Sequence, residues 1–381
     1  MTLRVEVKPE LLQWARERSG RSVEDLSSRF KKLAKWESGE LSPTFKQLEE
    51  FAKATYVPIG YFFLTEPPQE SVPIPDLRTI ADRRASQPSP DLLDVIYLCQ
   101  QRQEWYRDFA RKSGEPTRDF VGSVSLSDEV KEIARRIRES LGFEVEERSR
   151  IPTWTEALRL FIRQADHLGI LVMVSGVVGV NNRRKLNPKE FRGFSICDDF
   201  APLIFINGSD SKAAQMFTLA HELAHVWLGQ SALSNTEARI LPSHETENWC
   251  NRVAAELLVP LTVLSEIHKP NAEPLTELNR LARYFKVSTL VVLRRLFDMG
   301  RFTKQEYWDA YESELERLPK PRGNGGDFYL TQAVRAGRRF SRSLVVSTLE
   351  GQSSFTEAFR LLGIKKVETL RRFGVELEVG T

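Results

Sequence analysis

The sequence predicts an α+β protein that is predominantly helical. Three observations predict it. Apolar residues recur at helical spacing, with recognisable caps, over most of the chain. Short β-branched runs (ILVMVSGVV, FRGFSICDD and PLIFIN) gather between residues 170 and 207. A capped helix carrying FTLAHELAHVWLG follows them directly, so a small sheet would back that helix. The 381 residues suffice for two or three domains, and 41% hydrophobic with 28% charged content suits a soluble globular protein. No run approaches the roughly 18 apolar residues of a membrane helix, and MTLRVEVKPELL lacks the apolar core of a signal peptide. Three scattered cysteines (Cys99, Cys197, Cys250) argue against a disulfide framework and point to the cytoplasm. A net charge of +3 is too small to identify a partner.

Residues 1–70 predict a small helical domain. Pro9 opens a helix that Gly20 ends. Ser22 caps a second helix, SVEDLSSRF, with Asp25 completing a capping box. The series Trp36-Glu37-x-Gly39, Pro43-Thr44, Gln47-Leu48 and Phe51-Ala52 then follows. It resembles the N-terminal helix-turn-helix domain of the XRE/Cro-type regulators over about 60 residues. Only SSRFKKLAK separates Leu26 from Trp36, so the reading helix is truncated relative to that family. Arg29, Lys31, Lys32 and Lys35 cluster where a DNA face would lie. Residues 1–65 nevertheless carry eleven Lys/Arg against nine Asp/Glu, a weak footprint for a duplex binder. Two readings stay open here: DNA binding, or a degenerate module for protein contacts or dimerisation.

Residues 71–150 begin as a proline-rich linker and continue as helices, Leu92 to Lys112 and Ser127 to Leu141. The third segment, 151–316, opens with an amphipathic helix ending at Gly169, in which His167 is a lone solvent or packing histidine. The strands and the FTLAHELAHVWLG helix follow. That helix is N-capped among Ser209, Asp210 and Ser211 and closed by Gly229. The stretch QSALSNTEARILPS reads as loop. A helix from His244 to Leu258 comes next, with Glu247, Asn251, Ala254 and Leu258 on its inward face. Glu245, Trp249, Arg252 and Glu256 form a wetter stripe. The run 277–311 has the rhythm of a second helix-turn-helix about Val287-Ser288, most simply packed onto the same domain. The region 317–381 is basic and helical, with twelve Lys/Arg against six Asp/Glu. Gly323, Gly325 and Gly326 mark a loop in it. An acidic partner or nucleic acid is one reading of that charge, a solvated face the plainer one.

The chemistry lies in His221-Glu222-x-x-His225. On a helix, positions i and i+4 share a face, so two imidazoles can hold one metal ion while Glu222 sits beside it. Glu247, 22 residues beyond His225 and on the inward face of the next helix, supplies a third ligand. His221, His225 and Glu247 form the His₂Glu set of catalytic zinc. Manganese is an alternative ion. Glu222 is the general base that would take a proton from water and pass it to a leaving amine. Asn251 and Thr218 are candidates to hold the far imidazole nitrogens, and His244 is a candidate oxyanion partner.

The strings FRGF, APLIFIN, FTLAHELAHVWLG and ENWCNRVAAELLVP closely resemble the ImmA/IrrE metallopeptidases over roughly 155–315. That resemblance implies metal ligands at His221, His225 and Glu247, and a catalytic glutamate at Glu222, in a zincin-like fold. It also implies a soluble prokaryotic or phage protein that cleaves or otherwise inactivates a DNA-binding repressor and so switches gene expression. Some members join an XRE-type module to the peptidase. The alternative reading is a transcription regulator or antitoxin-like DNA- or protein-binding factor with a metallopeptidase-like scaffold. The partners expected are therefore a protein substrate and, in the alternative, DNA, with no membrane. No feature fixes an oligomeric state.

Overall fold

The computed structural model describes residues 4–77, 88–234, 245–317 and 328–379. His244 and the glycines Gly323, Gly325 and Gly326 lie outside the described residues. The chain divides into two compact units, Met1–Pro73 with Ser86–Asp94, and Ile74–Ala85 with Val95–Thr381.

Among its described residues the first unit holds four short α-helices and a 3-10 turn at Ile59–Phe63. Pro9 starts α1 (Pro9–Arg18), and the chain reverses at Gly20 with φ +66°. A capping box between Ser22 and Asp25 starts α2 (Val23–Ser27). This helix is shorter than the sequence suggested. It stops at Ser27 because Phe30 turns into the core, where it is 4% exposed. The next helix, α3 (Leu33–Glu37), has only five residues, and Arg29, Lys31, Lys32 and Lys35 around it are exposed. Thr44 and Gln47 form a second capping box for α4 (Phe45–Thr55), which ends at left-handed Tyr56. Phe51 meets Phe30 and Trp36 edge-on at 5.4 and 6.3 Å, so the tryptophan of the W-E-x-G series is a core residue.

The second unit contains the elements from α5 (Pro90–Lys112) onward. After α5, which belongs to this unit from Val95 onward, come α6 (Val130–Leu141), α7 (Val145–Ser149) and α8 (Trp154–Leu168). The strands are β1 (Leu171–Ser175), β2 (Val177–Val178), β3 (Asn181–Lys185), β4 (Gly193–Ile196) and β5 (Leu203–Asn207). Next come α9 (Lys212–Leu228) and β6 (Ala232–Ser234). The main sheet has the order β1-β5-β4-β6, with β1 parallel to β5 and the other pairs antiparallel. β2 and β3 form a separate hairpin. The sheet thus backs α9, and the fold is predominantly helical α+β.

The expected loop after Gly229 contains a strand, β6. Three residues give no alternation to read, and their pairing partners are distant in sequence. Helices α10 (Glu245–Leu258), α11 (Leu261–Ile267), α12 (Pro274–Phe285), α13 (Thr289–Asp298) and α14 (Lys304–Arg317) complete the core around α9. The turn at Val287-Ser288 is present, with Ser288 capping α13, and both flanking helices pack into this core. The stripe expected to be wetter on α10 is only partly so. Trp249 and Glu256 are buried, the latter by an ion pair with Arg295, while Glu245 and Arg252 are exposed.

Helices α15 (Phe328–Ala336), α16 (Arg338–Leu349), α17 (Phe355–Leu362) and α18 (Val367–Glu376) close the chain. Buried Arg102 on α5 donates to the carbonyls of Leu361 at 3.0 Å and Arg335 at 3.3 Å. Arg339 on α16 reaches Tyr106 at 2.6 Å and Glu115 at 2.9 Å. Arg339 is thus tied into internal contacts, while Arg338, Arg342, Arg360, Lys365, Lys366, Arg371 and Arg372 are exposed, so most of the described basic residues of this region lie on a solvated face. No helix among the described residues is long and apolar enough to cross a membrane.

Candidate metal centre

The α9 helix is fixed at both ends by local chemistry. Ser211 accepts a hydrogen bond from the Ala214 amide, and Gly229 adopts the left-handed conformation with φ +69°. A Cβ at Gly229 would stand 2.8 Å from the Gly122 Cα, so glycine is required by close approach as well as by φ. The segment before α6 covers this end. The amides of Gly122 and Val124 donate to Val226 and Trp227, and Phe120 stacks on Trp227 at 4.6 Å.

His221, Glu222 and His225 are all fully buried on α9, and Glu247 on α10 is 3% exposed. The His225 Nε2 lies 3.1 Å from the His221 Nε2 and 3.0 Å from the Glu247 Oε1. The His221 Nε2 lies 3.3 Å from the Glu247 Oε2. Four-coordinate zinc at its usual bond lengths sets neighbouring ligand atoms roughly 3.3 Å apart. The two nitrogens and the Glu247 carboxylate, whose Oε1 faces His225 and whose Oε2 faces His221, are therefore spaced as the ligands of one such ion would be. Two nitrogens and a carboxylate oxygen are also a donor set that zinc accepts. The residues fit the ion.

Charge in the cluster is unevenly held. Burial pushes the Glu247 carboxyl up, but the two imidazoles outweigh this and hold it well below the usual range. For His221 burial works downward, and the Glu247 carboxylate more than reverses it, so its pKa is raised. His225 is lowered, chiefly by burial. Glu222 is pushed up to about 8 by burial, opposed by His221, reinforced by Glu247, and opposed again by the hydroxyls of Ser234 and Ser195. Both Glu222 oxygens are buried and lack a hydrogen bond of normal geometry.

The far nitrogens of the two imidazoles are also buried, and neither has a hydrogen-bond partner among the described residues. Thr218 thus does not hold either ring; its methyl packs instead under β4. Asn251 stands next to His221 and raises its pKa, and the Asn251 Oδ1 is itself buried without a partner. Of the two candidates for orienting an imidazole, Asn251 has the placement.

The strands add residues that sequence reading missed. A Cβ on Gly193 would lie 2.5 Å from the Thr218 Cγ2, 2.9 Å from the Phe205 carbonyl and 3.2 Å from the Glu222 Oε1. Only glycine lets β4 approach α9 this closely. Ser195 and Ser234 sit on the same face as Gly193 by strand alternation and register. The signal for Gly193 was in FRGF, where a lone glycine interrupts a strand; the two serines carried none.

Residues 165–297 match the family model described as an IrrE N-terminal-like domain. The match covers the sheet, α9, α10 and the helices through most of α13, and supports the ImmA/IrrE resemblance of the second unit. Residues 336–376 match a domain of unknown function. No curated protein and no solved structure matches the chain.

Proposed function

We propose that this protein is a zinc-dependent endopeptidase that cleaves a specific protein, a DNA-binding repressor, and so switches gene expression. The observation that carries the peptidase reading is the convergence of the His221 and His225 Nε2 atoms with the Glu247 carboxylate, with a buried Glu222 alongside. The match to an IrrE N-terminal-like domain supports it. His221, His225 and Glu247 would hold the ion; zinc suits this donor set better than manganese, which prefers oxygen ligands. When bound, zinc polarises a carbonyl and lowers the pKa of water. Glu222 takes up the proton that water gives up and hands it to the leaving amine. Burial makes its carboxyl receptive to that proton. Asn251 orients the His221 ring. The three unpaired cysteines fit a reducing cytoplasm.

The test is a trap. Glu222→Gln keeps the side chain's shape and all three ligands but removes the base. The variant is expected to bind zinc like the unaltered chain, retain its partner in a pull-down, and cleave it at least about 100-fold more slowly. Unchanged cleavage of the captured partner by Glu222→Gln sinks the mechanism.

A second reading, a DNA-binding regulator or antitoxin-like factor, draws on the exposed Arg29, Lys31, Lys32 and Lys35 about α3. Sequence-selective gel shifts that weaken with salt and with Lys→Ala changes here, without proteolysis of any partner, would favour it.

A further inference from the structure

β6 is the outer strand of the main sheet, yet Ala232, Leu233 and Ser234 are all fully buried. What covers the edge is the chain's own linker. Asp76 pairs with Leu233 in parallel. The Leu77 amide donates to the Leu233 carbonyl at 3.1 Å, and the Leu233 amide donates to the Pro75 carbonyl at 2.9 Å. The other face of β6 is taken by β4, so Leu233 presents its N–H and C=O outward. These are the groups a sheet edge offers to an added strand.

Three features make this edge more than a packing detail. It adjoins the metal centre, since Ser234, the next residue along β6, stands beside the Glu222 carboxyl. It has an apolar anchor, because Ile74 at the start of the docked segment is 7% exposed while Pro75 and Asp76 are exposed. Its hold is short. Pro75 has no N–H, so the ladder cannot extend past it on that side and the docked segment makes two main-chain bonds.

We propose that the outer edge of β6 is a docking track for an extended peptide strand, occupied in cis by residues 74–77 until a substrate strand displaces them. The ligand class is an extended polypeptide with an apolar residue two positions before the one that pairs with Leu233. A strand without proline at the position of Pro75 gains one main-chain donor that the linker lacks. That the track delivers substrate to Glu222 rests on the peptidase reading; the strand exchange does not.

The experiment uses the full chain carrying Glu222→Gln, so that no peptide is consumed, and reads fluorescence anisotropy of two labelled peptides. One is the linker sequence SVPIPDLR; the other is SVPIVDLR, with the missing donor restored. Leu77→Pro removes the amide that bonds the Leu233 carbonyl, and Ile74→Asp puts a charge where the buried apolar anchor was; either should vacate the edge. Both variants are expected to bind the linker peptide about tenfold more tightly than the parent chain does. The valine peptide is expected to bind more tightly than the linker peptide throughout. Hydrogen exchange at the Leu233 amide should be slow in the parent, faster in both variants, and slow again once peptide is added. An unchanged melting temperature separates an emptied edge from an unfolded one. Equal peptide binding by parent and both variants, or a Leu233 amide as slow in the variants as in the parent, overturns the proposal. Absence of cleavage by the Glu222-containing chain would count against the peptidase reading and leave this result standing.

Discussion

Asp166 sits in the last turn of α8, 8% exposed, with its Oδ1 3.5 Å from the Val172 amide. Burial pushes its carboxyl up to about 7 from 3.8, with the Val172 amide and then Arg339 and Arg338 pulling the other way. A raised acid pKa means that the folded state binds a proton the unfolded chain has released. Between about pH 4 and pH 7 the native state therefore carries more protons, and stability falls as pH rises through that window. Below it the contribution is fully present; above it the loss is complete and flat. Three pKa units set an upper limit of about 4 kcal/mol, and relaxation around the site will reduce it. Asp166→Asn keeps the acceptor for Val172 and never ionises. Urea midpoints at pH 5 and pH 8 should differ less in Asp166→Asn than in the parent, with the variant the more stable at pH 8. Parallel pH profiles for the two proteins would show that Asp166 stays charged in the fold.

At the scale of elements, the helix that carries Glu247 is held by its C-terminal end. Three guanidiniums gather there. Arg138 donates to the Glu256 carbonyl at 2.8 Å, Arg148 to Leu258, and Arg295 to Val259 at 3.0 Å. Such groups satisfy the last carbonyls of a helix and oppose its dipole. They are not equivalent. Arg148 is fully buried, with Nε and Nη1 unpartnered, and burial pulls its pKa down to about 9. Arg295 is paired with the Glu256 carboxylate, both about 6% exposed. Arg295→Met strands a buried carboxylate and is expected to cost about 3–5 kcal/mol. It should also weaken zinc binding, because Glu247 rides on the same helix. Adding Glu256→Gln should recover part of both losses. Urea midpoints and zinc titrations of the single and double variants decide; a double variant no better than the single would put the cost elsewhere. None of these arginine contacts could be read in advance, because each partner is a main-chain atom or an acid distant in sequence. The α9 helix was readable because its signals are local: Ser211 and Gly229 cap it, and the two histidines lie one turn apart. Glu247 was readable because helical period alone separates it from Glu245. FRGF marked Gly193 as a break in a strand but not what it approaches, and β6 carried no signal, since what fixes both is contact between segments, Thr218 under the one and the linker against the other.

For the whole molecule, the candidate ligands come from two helices buried in one core. His221 and His225 belong to α9 and Glu247 to α10, and both helices contribute to the cluster that includes Leu223, Trp227, Val253 and Leu257. Binding an ion there stabilises the second unit by mass action, about 4 kcal/mol at a free concentration 1,000 times the dissociation constant. The first unit has its own core of Leu11, Trp36, Leu48 and Phe51 and places no residue in the cluster of candidate ligands. Calorimetry of the full chain should therefore show two transitions, of which zinc raises one by several degrees and a chelator lowers it again. Glu247→Ala should leave the zinc-dependent shift much reduced, and His221→Ala should abolish it. A shift of both transitions together, or one that persists without His221, would place the ion somewhere other than between α9 and α10. The same titration with manganese in place of zinc tests the donor set, since two imidazoles and one carboxylate should give the larger shift with zinc.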